Sequence, residues 1–284
     1  MCIVFIHCNN DVGAKYKLIM AANRDEYMSR PTKSADTHPD FQHIICGIDM
    51  EPGVEGGTWL GVTKSGKFSA LTNVLVGSQD PSKLPRGKLV INYLKDEVDP
   101  MDYLNLLQDK QHRQFNILAG KIDSCGKICL GYYSNWDDKN PRLLADKTNV
   151  VACTTLNGDW KKIEHGRKTF DNIIENSDAM SPNDLTNCLF EALLSDTTSL
   201  YPDEIVRKQC NGALDDTILE KYCSVMISGL GLYGTRVQTV VLIDENNQLH
   251  FTEMSLNGSD GADKTAWLKS SHSFTVKVTD TSSS

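Results

Sequence analysis

Runs of β-branched and aromatic residues, divided by short turn signals, constrain this 284-residue chain more than any other feature of it. They fall at residues 2–8, 16–22, 58–63, 67–73, 114–119, 127–133, 150–155, 224–228, 236–243, 248–254 and 273–278. Between many of them stand NNDVG, KSG, SCG and DENNQ, the Gly- and Asn-containing segments that close tight turns. Short connections join antiparallel neighbours, whereas parallel strands need long crossovers, so the sheets are predicted to be largely antiparallel. Helical periodicity marks 87–94, 100–107, 160–174, 182–194 and 215–222, with Ser181 and Pro182 as an N-cap and first-turn pair. Strands early and late with helices grouped between them predict a layered α+β domain, sheets packed together and covered by helices. No repeat or linker divides the chain, so residues 1–278 read as one domain. The end at 279–284, and the segment NGSDGADKT, are too polar and small to pack.

Composition removes several classes of function. A net charge of -8 without a clustered basic face argues against nucleic acid. The apolar opening, Met1 to Cys8, is too short to span a bilayer and lacks a basic flank, which predicts a soluble chain with no transmembrane segment and no secretory signal. Nine cysteines show no zinc spacing, since Cys125 and Cys129 lack a second pair, so no metal site is expected and the thiols read as reduced, cytoplasmic and mostly core.

Cys2 follows the start methionine directly. Removal of Met1 would leave it with a thiol and a free α-amine on one residue, a nucleophile with its own base. The alternative is a core cysteine in a buried first strand, the role expected of Cys8. The strand LIMAA runs into Asn23, Arg24, Asp25 and Glu26, and a hairpin would return these beside Cys2. There Asp25 could orient the amine, and Arg24 could face a carboxylate or an oxyanion. In EGGTWLGV, Gly56 and Gly57 permit close backbone approach before Trp59, and Asn73 at a strand end could donate to an oxyanion or be an ordinary turn residue. Gly229, Gly231 and Gly234 precede Arg236 at the head of a strand, which is no dinucleotide fingerprint because no helix follows.

The stretches MCIVF, LIMAANRDEYMSRP, DMEPGVEGGTWLGV, GKFSALTN, YGTRVQTVVLID and FTEMS together resemble the NRDE family and its Transport and Golgi organization group. That resemblance implies an N-terminal-nucleophile hydrolase fold, a four-layer αββα sandwich. In cysteine amidases of this fold it casts Cys2 as nucleophile and base, Asp25 beside the amine, Asn73 in the oxyanion hole and Arg236 near the nucleophile. Arg24 stands two positions from their arginine, whose place Ala22 takes, and their second oxyanion asparagine falls at Thr154, with Asn157 a shifted candidate. Asn23, Arg24, Trp59 and Arg236 are the residues expected to contact a ligand. The resemblance implies intracellular haem trafficking, and also secretory-pathway, lipid and acyl-CoA homeostasis; the expectation drawn is a haem carrier that moves haem from mitochondria or storage organelles to other compartments, a cytoplasmic protein associated with mitochondria, Golgi or lysosome-related organelles. Haem would be a labile ligand held by Cys2, His7, His43, Met20 or Met28, with propionates on Arg24 or Arg236, and no cofactor would be required. Two alternatives stand beside it: a cysteine amidohydrolase or acyltransferase acting on an acyl amide or acyl-CoA-like molecule, and a noncatalytic scaffold in Golgi and secretory organisation.

Overall fold

The computed structural model describes residues 2–78, 80–107, 111–256 and 266–276. The expectations for Met1, for NGSDGADKT and for 279–284 lie outside the described residues. In chain order the strands are β1 (Cys2–Cys8), β2 (Tyr16–Tyr27), β3 (Thr32–Thr37), β4 (Ile44–Asp49), β5 (Leu60–Thr63) and β6 (Lys67–Asn73), followed by helices α1 (Lys88–Lys95) and α2 (Pro100–Leu106). Next come β7 (Phe115–Ile122), β8 (Ile128–Ser134), β9 (Arg142–Leu143) and β10 (Thr148–Val151). Helices α3 (Lys161–Glu175), α4 (Pro182–Cys188), α5 (Glu204–Cys210) and α6 (Asp216–Tyr222) precede β11 (Tyr233–Asp244), β12 (Gln248–Leu256) and β13 (Trp267–Thr275).

Two sheets form, and every strand pairing within them is antiparallel. The first has the order β10-β1-β2-β11-β12-β13 and the second runs β3 to β9 in sequence. Alternation along β1 decides how they stack. Val4, Ile6 and Cys8 pack with Val62, Phe68 and Leu118 of the second sheet, while Ile3 and Phe5 pack with Phe170 and Leu189 of the helical layer. A third cluster joins the outer face of the second sheet, Ile117 and Phe115, to Val90 and Leu94 of α1. The layers are therefore helix, sheet, sheet, helix, the αββα order. Both faces of the central strands are buried, which is why they read as continuous apolar runs.

The expected helix at 182–194 forms with the Ser181 cap, its hydroxyl accepting from the Asp184 amide, but residues Leu189–Leu194 widen into a π-helical turn. Two strand readings are corrected. Residues 224–228 form no strand, β10 stops at Val151 rather than Thr155, and the carbonyls of Ala152 and Thr154 are instead held by the Asn116 amide at 2.9 and 2.8 Å. The polar edge strand β3, the strand β4 and the short helix α5 gave too little periodicity to be read. Most consequential, β2 does not end before the NRDE tetrapeptide but carries it within the sheet.

Gly166 shows how closely α3 seats on the first sheet. A Cβ there would collide with the Phe5 ring. Alanine in a helix interior normally gains about 1 kcal/mol over glycine, but overpacking costs about 1–3 kcal/mol. Gly166→Ala is therefore expected to lower the urea midpoint, and trimming the ring with Phe5→Leu in the same chain to recover part of the loss. A higher midpoint in Gly166→Ala would mean that α3 stands off the sheet.

Candidate functional site

At one end of the two sheets a cleft of about 630 Å³ opens, lined by Cys2, Arg24, Trp59, Asn73, Arg86 and Arg113 among others. Cys2 begins β1 and Arg24 is its directly opposed partner on β2. Burial pushes the Cys2 thiol up, Asp25 and Glu26 push it further, and Arg24 opposes them. The resting group is a neutral thiol that needs a base.

The period of β2 divides the tetrapeptide between two faces. Asn23 points into the helical side, where its amide donates to the carbonyls of Leu194 at 2.9 Å and Val225 at 3.0 Å. It does not line the cleft, contrary to the ligand-contact expectation. Arg24 lies on the opposite face, its guanidinium 4.2 Å from the centre of the Trp59 ring and its Nη1 donating to Thr32 Oγ1 at 3.4 Å. Trp59 in turn packs against Gly47, where a Cβ would strike its ring.

Asp25 borders the cleft, but its carboxylate is 1% exposed and accepts from Thr235 Oγ1 at 2.5 Å. Thr235 is itself fixed, because the Ile227 amide donates to the same hydroxyl at 2.9 Å. Burial pushes Asp25 up while Lys162, a lysine 2% exposed on α3, counters it. Burial pushes Lys162 down and Asp25 counters that, so each group favours the charged form of the other. The Lys162 ammonium donates to the Tyr222 carbonyl at 2.8 Å.

Cys153 closes round Cys2 from the helical side. Its sulfur accepts from the Cys2 nitrogen at 3.4 Å and its thiol donates to the Cys2 carbonyl at 3.5 Å. Burial pushes this thiol up to about 12.

Arg236 does not reach the cleft. The register of β11 on β2 slips between Thr235, opposite Asp25, and Val237, opposite Arg24, so Arg236 is the extra residue of a β-bulge. Its guanidinium turns to the carbonyls of Tyr27 at 2.9 Å and Arg30 at 2.5 Å, pinning the turn that leaves β2. The oxyanion candidates at the other strand also lie elsewhere. Neither Thr154 nor Asn157 lines the cleft, and Asn157 accepts from the Val150 amide at 2.7 Å while donating to Asn149 at 3.0 Å. Asn73 does line it, at the end of β6. Of the haem-ligand candidates only Cys2 borders the cleft; His7 bonds Thr148 Oγ1 at 3.1 Å, and Met20 is wholly buried between the sheets. The glycine pair behaves as expected: Gly56 takes φ +78°, and a Cβ on Gly57 would come within 3.0 Å of Gly87. Among the described residues no cluster of three metal-ligating side chains occurs, and no helix is long and apolar enough to cross a membrane.

Sequence reasoning did not find Arg86, Arg113, His112, Thr235, Lys162, Cys153 or Glu253. Thr235 stood beside the arginine that was chosen, and Glu253 was a lone acid in an apolar strand, a signal that was available. Nothing local separates Lys162 from Lys161.

Comparisons with known proteins follow the sequence motifs. The family model described as Transport and Golgi organisation 2 matches residues 1–258. The chain is similar to Transport and Golgi organization protein 2 homolog of Homo sapiens, 34% identical over 98% of this chain and 100% of that one. It is also similar to Transport and Golgi organization protein 2 of Drosophila melanogaster, 30% identical over 92% and 94%. Among solved structures, a Caenorhabditis elegans ortholog of N-acylethanolamine-hydrolyzing acid amidase covers 85% of this chain and 92% of its own at 13% identity and a TM-score of 0.47. A variant of conjugated bile acid hydrolase from Clostridium perfringens covers 97% and 98% at 6% identity and a TM-score of 0.48.

Proposed function

The chain belongs to the Transport and Golgi organisation 2 family, and from the geometry of its cleft we propose that it transfers or hydrolyses acyl groups through Cys2. The observation that carries this reading is the convergence of Cys2, Arg24, Asn73 and the buried Asp25 on one cleft. With Met1 removed, the α-amine of Cys2 is a base on the same residue as the thiol that burial holds neutral, and it can take the thiol proton. The sulfur then bonds to the acyl carbonyl carbon, and charge passes to the carbonyl oxygen, where Asn73 and Arg24 supply donors. As the carbonyl re-forms, the amine or thiol leaving group departs with the transferred proton. Water, deprotonated by the same amine, then releases the acid from the acyl-Cys2 thioester, and a second nucleophile in place of water makes the reaction a transfer. Asp25 acts through the amine, holding it as a fixed carboxylate between Thr235 and Lys162.

The test is intact mass and peptide mapping of protein made in a eukaryotic host, before and after incubation with an acyl thioester. The expected result is loss of Met1 and one acyl mass mapped to Cys2. A retained or acetylated terminus, or acylation spread over the other thiols, would overturn the reading.

Haem carriage keeps a specific observation in its favour: Cys2 and His112 both line the cleft, and either side chain can ligate iron. The mixed charge of the walls favours it less than an apolar slot would. A saturable Soret shift altered by Cys2→Ala or His112→Ala would support haem as cargo, and a featureless titration would remove it.

A further inference from the structure

The segments 84–88 and 111–113 bring Arg86, Lys88, His112 and Arg113 to the cleft and contain no acid, in a chain whose net charge is -8. We propose that Arg86 and Arg113 form an anion subsite, so that the acyl donor is a molecule bearing a carboxylate or phosphate. This rests on the Cys2 acyl-transfer reading and names its class of substrate.

Arg86 has one hydrogen bond to protein among the described residues, from Nη1 to the Gln114 carbonyl at 3.0 Å. Arg113 Nε is buried and has no hydrogen-bond partner among the described residues. Neither guanidinium makes an ion pair among the described residues. Another arginine of the lining is held differently: Arg30 grips Asp49 through Nε at 3.1 Å and Nη2 at 2.7 Å. Glu26 and Asp80 lie within the electrostatic reach of Arg86 and Arg113 respectively, without contacting them.

The two arginines are also held in place. The Leu84 amide donates to the Gln111 carbonyl at 2.8 Å, and the Arg113 amide to the Leu84 carbonyl at 3.2 Å, which ties the two segments together. The Thr58 amide fixes Gly87 at 3.0 Å. Burial and the neighbouring Arg113 pull Arg86 down to about 10, the direction expected where two cations are held close with no anion between them. Planar forks with free donors, near enough to act on each other electrostatically, match the oxygens of a carboxylate or phosphate. An anion bound there would relieve the repulsion and satisfy the orphaned Arg113 nitrogen.

Three octanoyl thioesters test this: of 3-mercaptopropionate, of its uncharged amide, and of phosphorylated 3-mercaptopropanol. The expected result is that one or both charged donors acylate Cys2 at least about tenfold faster than the amide, and the faster of the two identifies the anion. Arg86→Gln and Arg113→Gln together should erase the preference, with the fold checked by circular dichroism, while Arg86→Lys should retain part of it. Equal rates for the three donors in the parent protein, or a preference that survives in the double variant, would overturn the subsite. Should none of the donors acylate Cys2, the acyl-transfer reading falls and the subsite is judged alone by titrating inorganic phosphate and glutarate. Saturable binding lost in the double variant supports it, and no binding in the parent overturns it.

Discussion

Cys2→Ser is expected to slow acyl release by about three orders of magnitude or more while leaving the fold in place. The exchange replaces one sulfur with one oxygen at a half-buried position, and the ladder of β1 with β2 and β10 is made by main-chain atoms the change does not touch. What changes is the acidity of the nucleophile. Burial raises the Cys2 thiol, but a thiol is intrinsically far more acidic than an aliphatic hydroxyl, so the amine can deprotonate the cysteine and not a serine in its place. Single-turnover acylation followed by mass, beside thermal melting, separates the two effects. The melting temperature should move by no more than a few degrees. An unchanged turnover rate would remove Cys2 as the nucleophile.

Glu253→Gln is expected to stabilise the protein at pH 8 by an amount on the order of 3 kcal/mol and to flatten its dependence on pH. Glu253 is 1% exposed, and its Oε1 accepts from the Ala35 amide at 2.7 Å. Its other oxygen lies beside Gly47, the same glycine the Trp59 ring covers. Burial pushes the carboxyl up to about 7, with the Ala35 amide and Arg24 opposing. The ordinary value of 4.5 applies in the unfolded chain. Between these values the folded protein keeps a proton that the unfolded chain has released. The contribution of this group is therefore fully present below about 4.5 and is lost as the pH rises through about 7. Glutamine stays neutral and its carbonyl can still accept from Ala35, so the loss should vanish. Urea unfolding of both proteins at pH 5 and pH 8 measures the difference. Equal pH dependence in the two would show that Glu253 is ionised in the fold across the whole range.

How far the site was legible depended on which side of a strand each residue took. Cys2, Arg24, Trp59 and Asn73 were read from strand starts and ends, and all four line the cleft. Asn23 was grouped with them because it is adjacent in sequence, but adjacency in a strand means opposite faces, and it serves the helical layer. Arg236 was placed at the nucleophile because it heads an apolar strand. The single extra residue of the bulge turned it onto the carbonyls of Tyr27 and Arg30 and left Thr235 to reach Asp25. A bulge leaves no signature in hydrophobic period when the residues around it are polar.

By itself the sequence determined the antiparallel strands, the helical segments between them and hence the α+β layers, because burial imposes its period on neighbouring residues wherever a face meets a core. It also determined that a thiol opens the first strand. The tertiary structure alone decided what surrounds that thiol. Arg86, Arg113, Cys153 and Lys162 come from loops and a helix far along the chain, and meet Cys2 and Asp25 only because two sheets and a helical layer close at one end. Local patterning records that a residue is buried, but not which distant segment buries it, and the electrostatics of the cleft is made of those distant meetings.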